Sequence, residues 1–332
     1  MTTIALLPDA ATPLDHATAE QAFIDILDGN VPDEAVATFL TDMALRDETS
    51  VEIAAAARAL RARMLAVEAP EGAIDVCGTG GDGAHSLNIS TAVAIVVAAA
   101  GIAVAKHGNR AASSKAGAAD TLEALGLDLD AAAARAEASL AELGIAFLFA
   151  QTHHPALARL APIRRAIGRR TIFNLIGPLA NPARVTRQLV GVARVDYLPT
   201  VAEALELLGS EAALVVAGEE SLDELSIAGP SRAIAIGTCT ARERRLAPED
   251  AGLARHPLEA LRGGDAAHNA AALAALLDGG ASAYRDAVLL NAAGALIVAG
   301  RTADWRDGAE LAAEVIDSGA ARRLLDRWIT FR

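Results

Sequence analysis

Apolar residues in the first seventy positions recur three and four apart, the spacing of one helix face. Beyond residue 72, short β-branched runs alternate with alanine-rich helical stretches. The first region predicts three helices: about 17–27, a second following Pro32 and Asp33, and a third opened by Thr49 and Ser50, with Glu52 completing a capping box. Their stripes are expected to face one another in a small bundle: Ala22, Ile24 and Leu27; Ala35, Phe39 and Met43; Ile53, Ala57, Leu60 and Met64. Ala69, Pro70, Glu71 and Gly72 have linker chemistry and predict a domain boundary. The expected organisation is a helical domain over 1–70 and an α/β domain over 73–332.

Strand signals precede Gly78 and recur at 102–105, 144–149, 188–192, 213–217 and 233–236, with a helix expected over 198–208. His153, His154 and Pro155 are expected to begin a helix that Pro162 interrupts. From Pro248 onward the chain reads as helical, with 266–277 and 285–298 as core or sheet-covering helices. His268, Asn269 and Asn291 within them read as packing residues. No repeat with a period of 20–50 residues is visible.

Composition narrows the class. A chain of 332 residues that is 53% hydrophobic can bury a large core, and with only 3% aromatics, closely packed alanine-rich helices are favoured over an all-β sandwich. A formal net charge of -13 opposes nonspecific attraction to nucleic acid or an anionic membrane, so no nucleic-acid or membrane partner is expected. Any phosphate ligand must be held locally or through a metal. Cys77 and Cys239, the only cysteines, are too few for a disulfide framework or a cysteine-based zinc site. No basic segment precedes an apolar one at the start, and the apolar runs are too short to span a bilayer. The cytoplasm is the expected compartment.

The chemistry concentrates in four stretches. DVCGTGGDGAHSLNIST at 75–91 reads as strand, glycine loop and helix start, a cradle in which main-chain N–H groups approach a phosphate. It lacks the lysine of a Walker loop and the spacing of the dinucleotide fingerprint. KHGNRAASSKAGAAD at 106–120 follows a short strand and sets a lysine at its carboxyl end, where open parallel sheets bind ligands. Four arginines, Arg164, Arg165, Arg169 and Arg170, are either a solvated face or include a fork for a carboxylate. Glu219, Glu220, Asp223 and Glu224 share one loop at a strand end, either an ordinary acidic loop or an oxygen-only site suited to Mg²⁺.

Taken together, GTGGD at 78–82, NIST at 88–91, the KHGN-to-SS stretch, RRAIGRRTIFNLIGPLANPA at 164–183 and LDELS at 222–226 resemble the motifs of the anthranilate phosphoribosyltransferases, in family order. The resemblance runs over nearly the whole chain. It implies an α/β fold of the nucleoside phosphorylase/phosphoribosyltransferase kind: a small N-terminal helical domain hinged to a larger α/β domain whose central sheet is flanked by helices. Part of 165–190 would return to the helical domain, and the active site would lie between the two. It implies transfer of the phosphoribosyl group of phosphoribosyl pyrophosphate (PRPP) to the amine of anthranilate in tryptophan biosynthesis, with Mg²⁺, in a homodimer formed through the helical domain.

Carried over position by position, the resemblance assigns PRPP to Gly78, Gly81, Asp82, Ser86, Asn88, Ile89, Ser90 and Thr91. It adds Lys106, His107, Gly108, Asn109, Arg110, Ala111, Ala112, Ser113, Ser114 and Ala118. Anthranilate would meet Gly78, Asn109 and Arg164, and the metal Ser90, Asp223 and Glu224. No catalytic base is assigned, because an aromatic amine is already a nucleophile at neutral pH. A nucleoside phosphorylase of the same architecture is the alternative enzyme, and a nucleic-acid-binding relative the alternative from another class.

Overall fold

The chain opens with α1 (His16–Asp28), α2 (Asp33–Leu45) and α3 (Ser50–Arg61). A computed structural model describes residues 5–111, 114–238 and 243–331; Ala112, Ser113 and Cys239 lie outside the described residues. The helix starts follow their caps. Asp15 accepts from Thr18 N, and Thr49 and Glu52 close the expected capping box reciprocally.

The apolar faces are broader than the stripes read from spacing. Phe23, Ile26 and Val36 are buried, whereas Ala35 is exposed and Ile24 and Met64 are only half-buried. The reason is a second set of partners. Phe23 meets Phe39 edge-on at 5.9 Å and Phe173 at 6.1 Å, so the segment around residue 173 packs into the helical region. α3 buries Ala54, Ala55 and Ala56 as well as its predicted stripe, because it is covered on more than one side.

Strand and helix then alternate: β1 (Ile74–Gly78), α4 (Ile89–Ala99), β2 (Val104–Gly108), α5 (Ala118–Ala124), α6 (Leu129–Ala134), α7 (Ala136–Leu143), β3 (Ile145–Phe149), α8 (Ala150–His153) and α9 (Leu160–Ile167). They continue as β4 (Arg187–Gly191), α10 (Leu198–Leu207), β5 (Ala212–Gly218), β6 (Ser231–Gly237) and β7 (Glu243–Leu246). The chain ends in α11 (Ala266–Leu277), α12 (Ala283–Val298), α13 (Trp305–Asp317) and α14 (Ala320–Ile329).

Two expectations change here. His153 ends a short helix instead of beginning one. Pro162 sits at the third position of α9, in the first turn, where its missing N–H costs no helical bond. β7 has no counterpart among the expected strands: Glu243, Arg244 and Arg245 are exposed and only Leu246 is buried, so this edge strand carries no alternation to read.

The sheet runs β3-β2-β1-β4-β5-β6-β7. β1 to β5 are parallel, and β6 and β7 are antiparallel additions. Helices cover both faces, which explains why β5 is buried at every position. Its alternate residues enter different cores. Leu214 and Val216 join α4 and α12, and Ala213, Val215 and Ala217 join α1 to α3 and α10. The N-terminal helices therefore close one face of the sheet, together with Leu160, Ile163, Ile172 and Phe173. On the other face, α4 is apolar almost all round and buried from Ile89 to Ala98 apart from Ser90.

Candidate active site

β1 ends in Gly78, and the glycine loop follows. Gly80, Gly81 and Gly83 have φ of 71°, 74° and 78°, a region that a side chain disfavours, so the loop's glycines are a backbone requirement. The loop leads into the N-terminus of α4. The Asn88 side chain does not cap that terminus; Ile89 N–H donates to Leu87 O at 2.8 Å and the Ser90 N–H meets the Glu224 carboxylate, so the positive end of the helix dipole faces the acidic loop. Asn88, the residue before α4, is fixed from three directions: its Oδ1 accepts from Thr121 Oγ1 (2.6 Å) and Asn269 Nδ2 (2.9 Å), and its carbonyl accepts from Tyr284 OH (2.9 Å).

The carboxyl ends of β1 and β4, where the strand order reverses, receive the acidic loop. An added Cβ at Gly191 would lie 1.7 Å from the Asp223 carbonyl oxygen, and one at Gly78 would lie 2.3 Å from Asp223 Oδ2. Two glycines on neighbouring strands thus vacate the volume that Asp223 fills. Asp223 Oδ2 accepts from Gly80 N at 2.7 Å. The loop itself is clamped by Asn291 of α12, which accepts from Leu225 N and donates to Leu225 O, both at 2.9 Å.

The four carboxylates divide. Glu219 pairs with Arg245 and Glu220 bonds the Ser226 hydroxyl, whereas Asp223 and Glu224 turn inward. Burial pushes the Asp223 carboxyl well up, helped by the charge of Asp82. Burial and the Asp223 charge do the same to Glu224, opposed first by the charge of Lys106 and then by the Ser90 main-chain N–H. Adjacent acids held so unfavourably fit a divalent cation shared with a ligand's oxygens. Among the described residues, no three His, Cys, Asp or Glu side chains converge as a protein-only cage.

Lys106 is 2% exposed; its Nζ donates to Val76 O (2.9 Å) and lies 3.3 Å from Ser90 Oγ. His107 and His154 face each other with ring centroids 5.1 Å apart, and burial depresses both, to about 3 and about 4. Both imidazoles are therefore neutral at physiological pH. Burial raises the Cys77 thiol, which removes it as a thiolate nucleophile. Arg164 lies over the Phe173 ring at 5.9 Å, and burial alone holds its pKa below the usual guanidinium range; it has no carboxylate partner among the described residues.

These groups enclose one cavity of about 330 Å³. Of the positions singled out from sequence, Gly78, Gly81, Asp82, Ser86, Asn88, Ile89 and Ser90 line it. So do Lys106, His107, Gly108, Asn109, Arg110, Ala111, Ser114, Ala118, Arg164, Asp223 and Glu224. Thr91 does not line it: this residue of the first turn of α4 turns into the core, 1% exposed. Arg110 is at the rim but spends its fork on Asp120 (2.8 Å) and Glu123.

Reasoning from sequence missed Thr79, His154, Leu157, Phe173, Asn174, Gly177 and Pro178, which also line the cavity. The adjacent pair His153 and His154 was at least visible as a chemical signal, whereas Leu157 offered none. It also read Asn269 and Asn291 as packing residues, whereas they hold Asn88 and the acidic loop in place. A second cavity of about 270 Å³ lies beyond Thr79 and Asn174, against Asp47, Glu48, Arg194 and Tyr197.

Comparison with known proteins agrees with this arrangement. Residues 9–64 match the model of the glycosyl transferase family helical bundle domain, and residues 70–322 that of the glycosyl transferase family a/b domain. The anthranilate phosphoribosyltransferase of Novosphingobium aromaticivorans is 61% identical over 98% of both chains, and that of Rhizobium meliloti 50% identical over 97% of this chain and 95% of its own. The crystal structure of the Thermus thermophilus enzyme superposes with a TM-score of 0.92 at 44% identity, covering 97% of this chain and 96% of that one. The Saccharomyces cerevisiae enzyme in complex with PRPP and Mg does so at 0.87 and 28%, covering 95% and 93%. With two matched domains in the same order and near-complete coverage by these relatives, the chain belongs to the anthranilate phosphoribosyltransferase family.

Proposed function

We propose that this chain transfers the phosphoribosyl group of PRPP to the amine of anthranilate, giving N-(5-phosphoribosyl)anthranilate and pyrophosphate. The observation that carries the reading is one cavity combining three kinds of recognition. It has a helix N-terminus beside a buried lysine, two inward carboxylates, and an arginine with no carboxylate partner among the described residues. Those are the needs of a phosphorylated sugar, a bridging cation and an aromatic acid. The yeast relative solved with PRPP and Mg supports the same ligand set.

The glycine loop, the start of α4 and Lys106 would hold the phosphates, with the 106–114 stretch closing beside them. Arg164 would fork onto the anthranilate carboxylate, and Asn109 with the Gly78 main chain would fix the ring so that its amine faces the ribosyl carbon. Asp223 and Glu224, with Ser90 as a further contact, would hold Mg²⁺. Bound there, Mg²⁺ neutralises charge on the departing pyrophosphate. As the C–O bond to pyrophosphate breaks, its electron pair leaves with the pyrophosphate, the ribosyl carbon gains positive character and the amine lone pair forms the new C–N bond; the amine proton then passes to the departing pyrophosphate.

The deciding experiment mixes the purified chain with anthranilate, PRPP and Mg²⁺ and follows anthranilate fluorescence. A fall that requires all three supports the transferase. Steady fluorescence, with free base released from a pyrimidine nucleoside in phosphate buffer, would favour the phosphorylase instead. We read the working form as a homodimer joined through the helical region, where Leu45 at the end of α2 is 64% exposed. Sedimentation at the mass of one 33.9 kDa chain would refute that.

A further inference from the structure

Three main-chain groups in the seam between β1 and β2 are satisfied by side chains instead of by the neighbouring strand. β1 pairs with β4 at all five residues, from Ile74 opposite Arg187 to Gly78 opposite Gly191, but with β2 only at Ile74 opposite Val104. Continuing that register would bring Val76 beside Lys106 and let the two strands exchange N–H···O bonds. Instead the His107 N–H donates to Asp75 Oδ1 (3.0 Å), the Ala105 carbonyl accepts from Asn181 Nδ2 (2.8 Å), and the Val76 carbonyl accepts from Lys106 Nζ (2.9 Å). Asn181 Nδ2 also donates to Asp75 Oδ2 at 2.7 Å, closing the set.

Asp75 is 0% exposed and Asn181 1%. A carboxyl group buried in a sheet seam without an ion-pair bond is a poor way to stabilise a fold, since an apolar residue there would let the ladder run on. What the arrangement achieves is geometric. It parts β1 from β2 at their carboxyl ends and leaves the Val76 carbonyl open. The Lys106 ammonium is drawn along the seam toward Ser90 and the start of α4.

We propose that Asp75, braced by Asn181, is a positioning residue for the transferase reaction: it props the β1–β2 seam open and so aims Lys106 at the PRPP phosphates. The inference rests on the reading of Lys106 as a phosphate contact. It accounts for a lysine that is almost fully buried and yet reaches the cavity wall.

The test is a double-mutant cycle in the full-length enzyme with separate KM values for the two substrates. Asp75→Asn keeps the shape and one acceptor. It should lower kcat/KM for PRPP at least tenfold while changing the KM for anthranilate less than twofold. Lys106→Ala should lower kcat/KM for PRPP by 10- to 100-fold, and combining the two should be no worse than Lys106→Ala alone within a factor of about three, because Asp75 acts through the lysine. Asn181→Ala is the second variant, with the same substrate-selective loss expected in smaller measure, should Asp75→Asn not fold. A purely structural Asp75 would lower the melting temperature and leave kcat/KM of the folded enzyme unchanged, or would multiply with Lys106→Ala; either result overturns the proposal. Unchanged kcat/KM for PRPP in Lys106→Ala would instead overturn the phosphate reading, and this inference with it.

Discussion

Arg164 shows how one side chain divides two substrates. It has no ion-pair partner among the described residues, and its guanidinium carbon lies 5.9 Å from the centre of the Phe173 ring, a cation–π contact. Arg164→Ala should raise the KM for anthranilate by roughly 10- to 100-fold, the loss of a charge-assisted bond of about 1.5–3 kcal/mol, and leave the KM for PRPP within twofold. Lysine should restore little, because a point charge cannot reproduce the fork. Equal effects on both substrates would reassign Arg164 to holding the cavity wall. Asp223 and Glu224 belong to the same scale. Asn and Gln at these positions keep the shape and remove two buried like charges, so turnover should fall by orders of magnitude and its Mg²⁺ requirement should move to higher concentration, while the ligand-free melting temperature holds or rises. Superimposable Mg²⁺ titrations of wild type and double variant would exclude the metal role.

At the scale of elements, the crossing of β1 and β4 with the acidic loop depends on two missing side chains. Gly191→Ala drives a Cβ into the Asp223 main chain, where no rotamer change relieves the contact. It should therefore cost activity far more than a surface Gly→Ala, with weakened Mg²⁺ dependence as the signature in a titration of turnover. Gly191 also marks what the sequence could and could not tell. β4 was legible from its β-branched run and Gly78 from its motif, but nothing in the linear order says that a residue 32 positions on will fill the space above Gly191. Such contacts are set by sheet order, which spacing does not encode. The same holds for Asn291, legible only as a polar residue in the apolar run VLLNAAGALIV, which must find partners somewhere. Thr91 shows the opposite relation between motif and structure. A motif read as a unit assigned it to the ligand, but helical rotation turns it away from the cavity. The glycine loop, Lys106 and the acidic pair were legible because their chemistry is unusual for a structural position.

At the scale of the molecule, the helical region meets the α/β region through more than apolar contact. The Tyr197 hydroxyl lies between two carboxylates of the helical region, 2.9 Å from Asp47 Oδ1 and 2.5 Å from Glu48 Oε2, and shares its one proton between them; Asp47 also pairs with Arg194. Burial holds the Glu48 carboxyl above its usual range, only partly offset by the tyrosine hydroxyl. A raised carboxyl favours the folded state while protonated, and that advantage is lost as pH rises through its folded pKa. Glu48→Gln should thus be indistinguishable from wild type in chemical denaturation near pH 4 and more stable than wild type at pH 8. A stability difference that grows toward acid would contradict this sign.

α4 joins the two ends of this description. Its first turn is the anchor proposed for phosphate, while the rest of its surface is enclosed by β1, α12 and α14, so the anchor cannot shift without unpacking the larger core. Its amides should exchange with deuterium only when the whole molecule unfolds, whereas those of the exposed Gly81 and Gly83 should exchange quickly. PRPP at about a hundred times its dissociation constant should then slow exchange along all of α4 by about a hundredfold, as mass action on global unfolding demands. The helix that holds the ligand becomes the gauge of how tightly it is held.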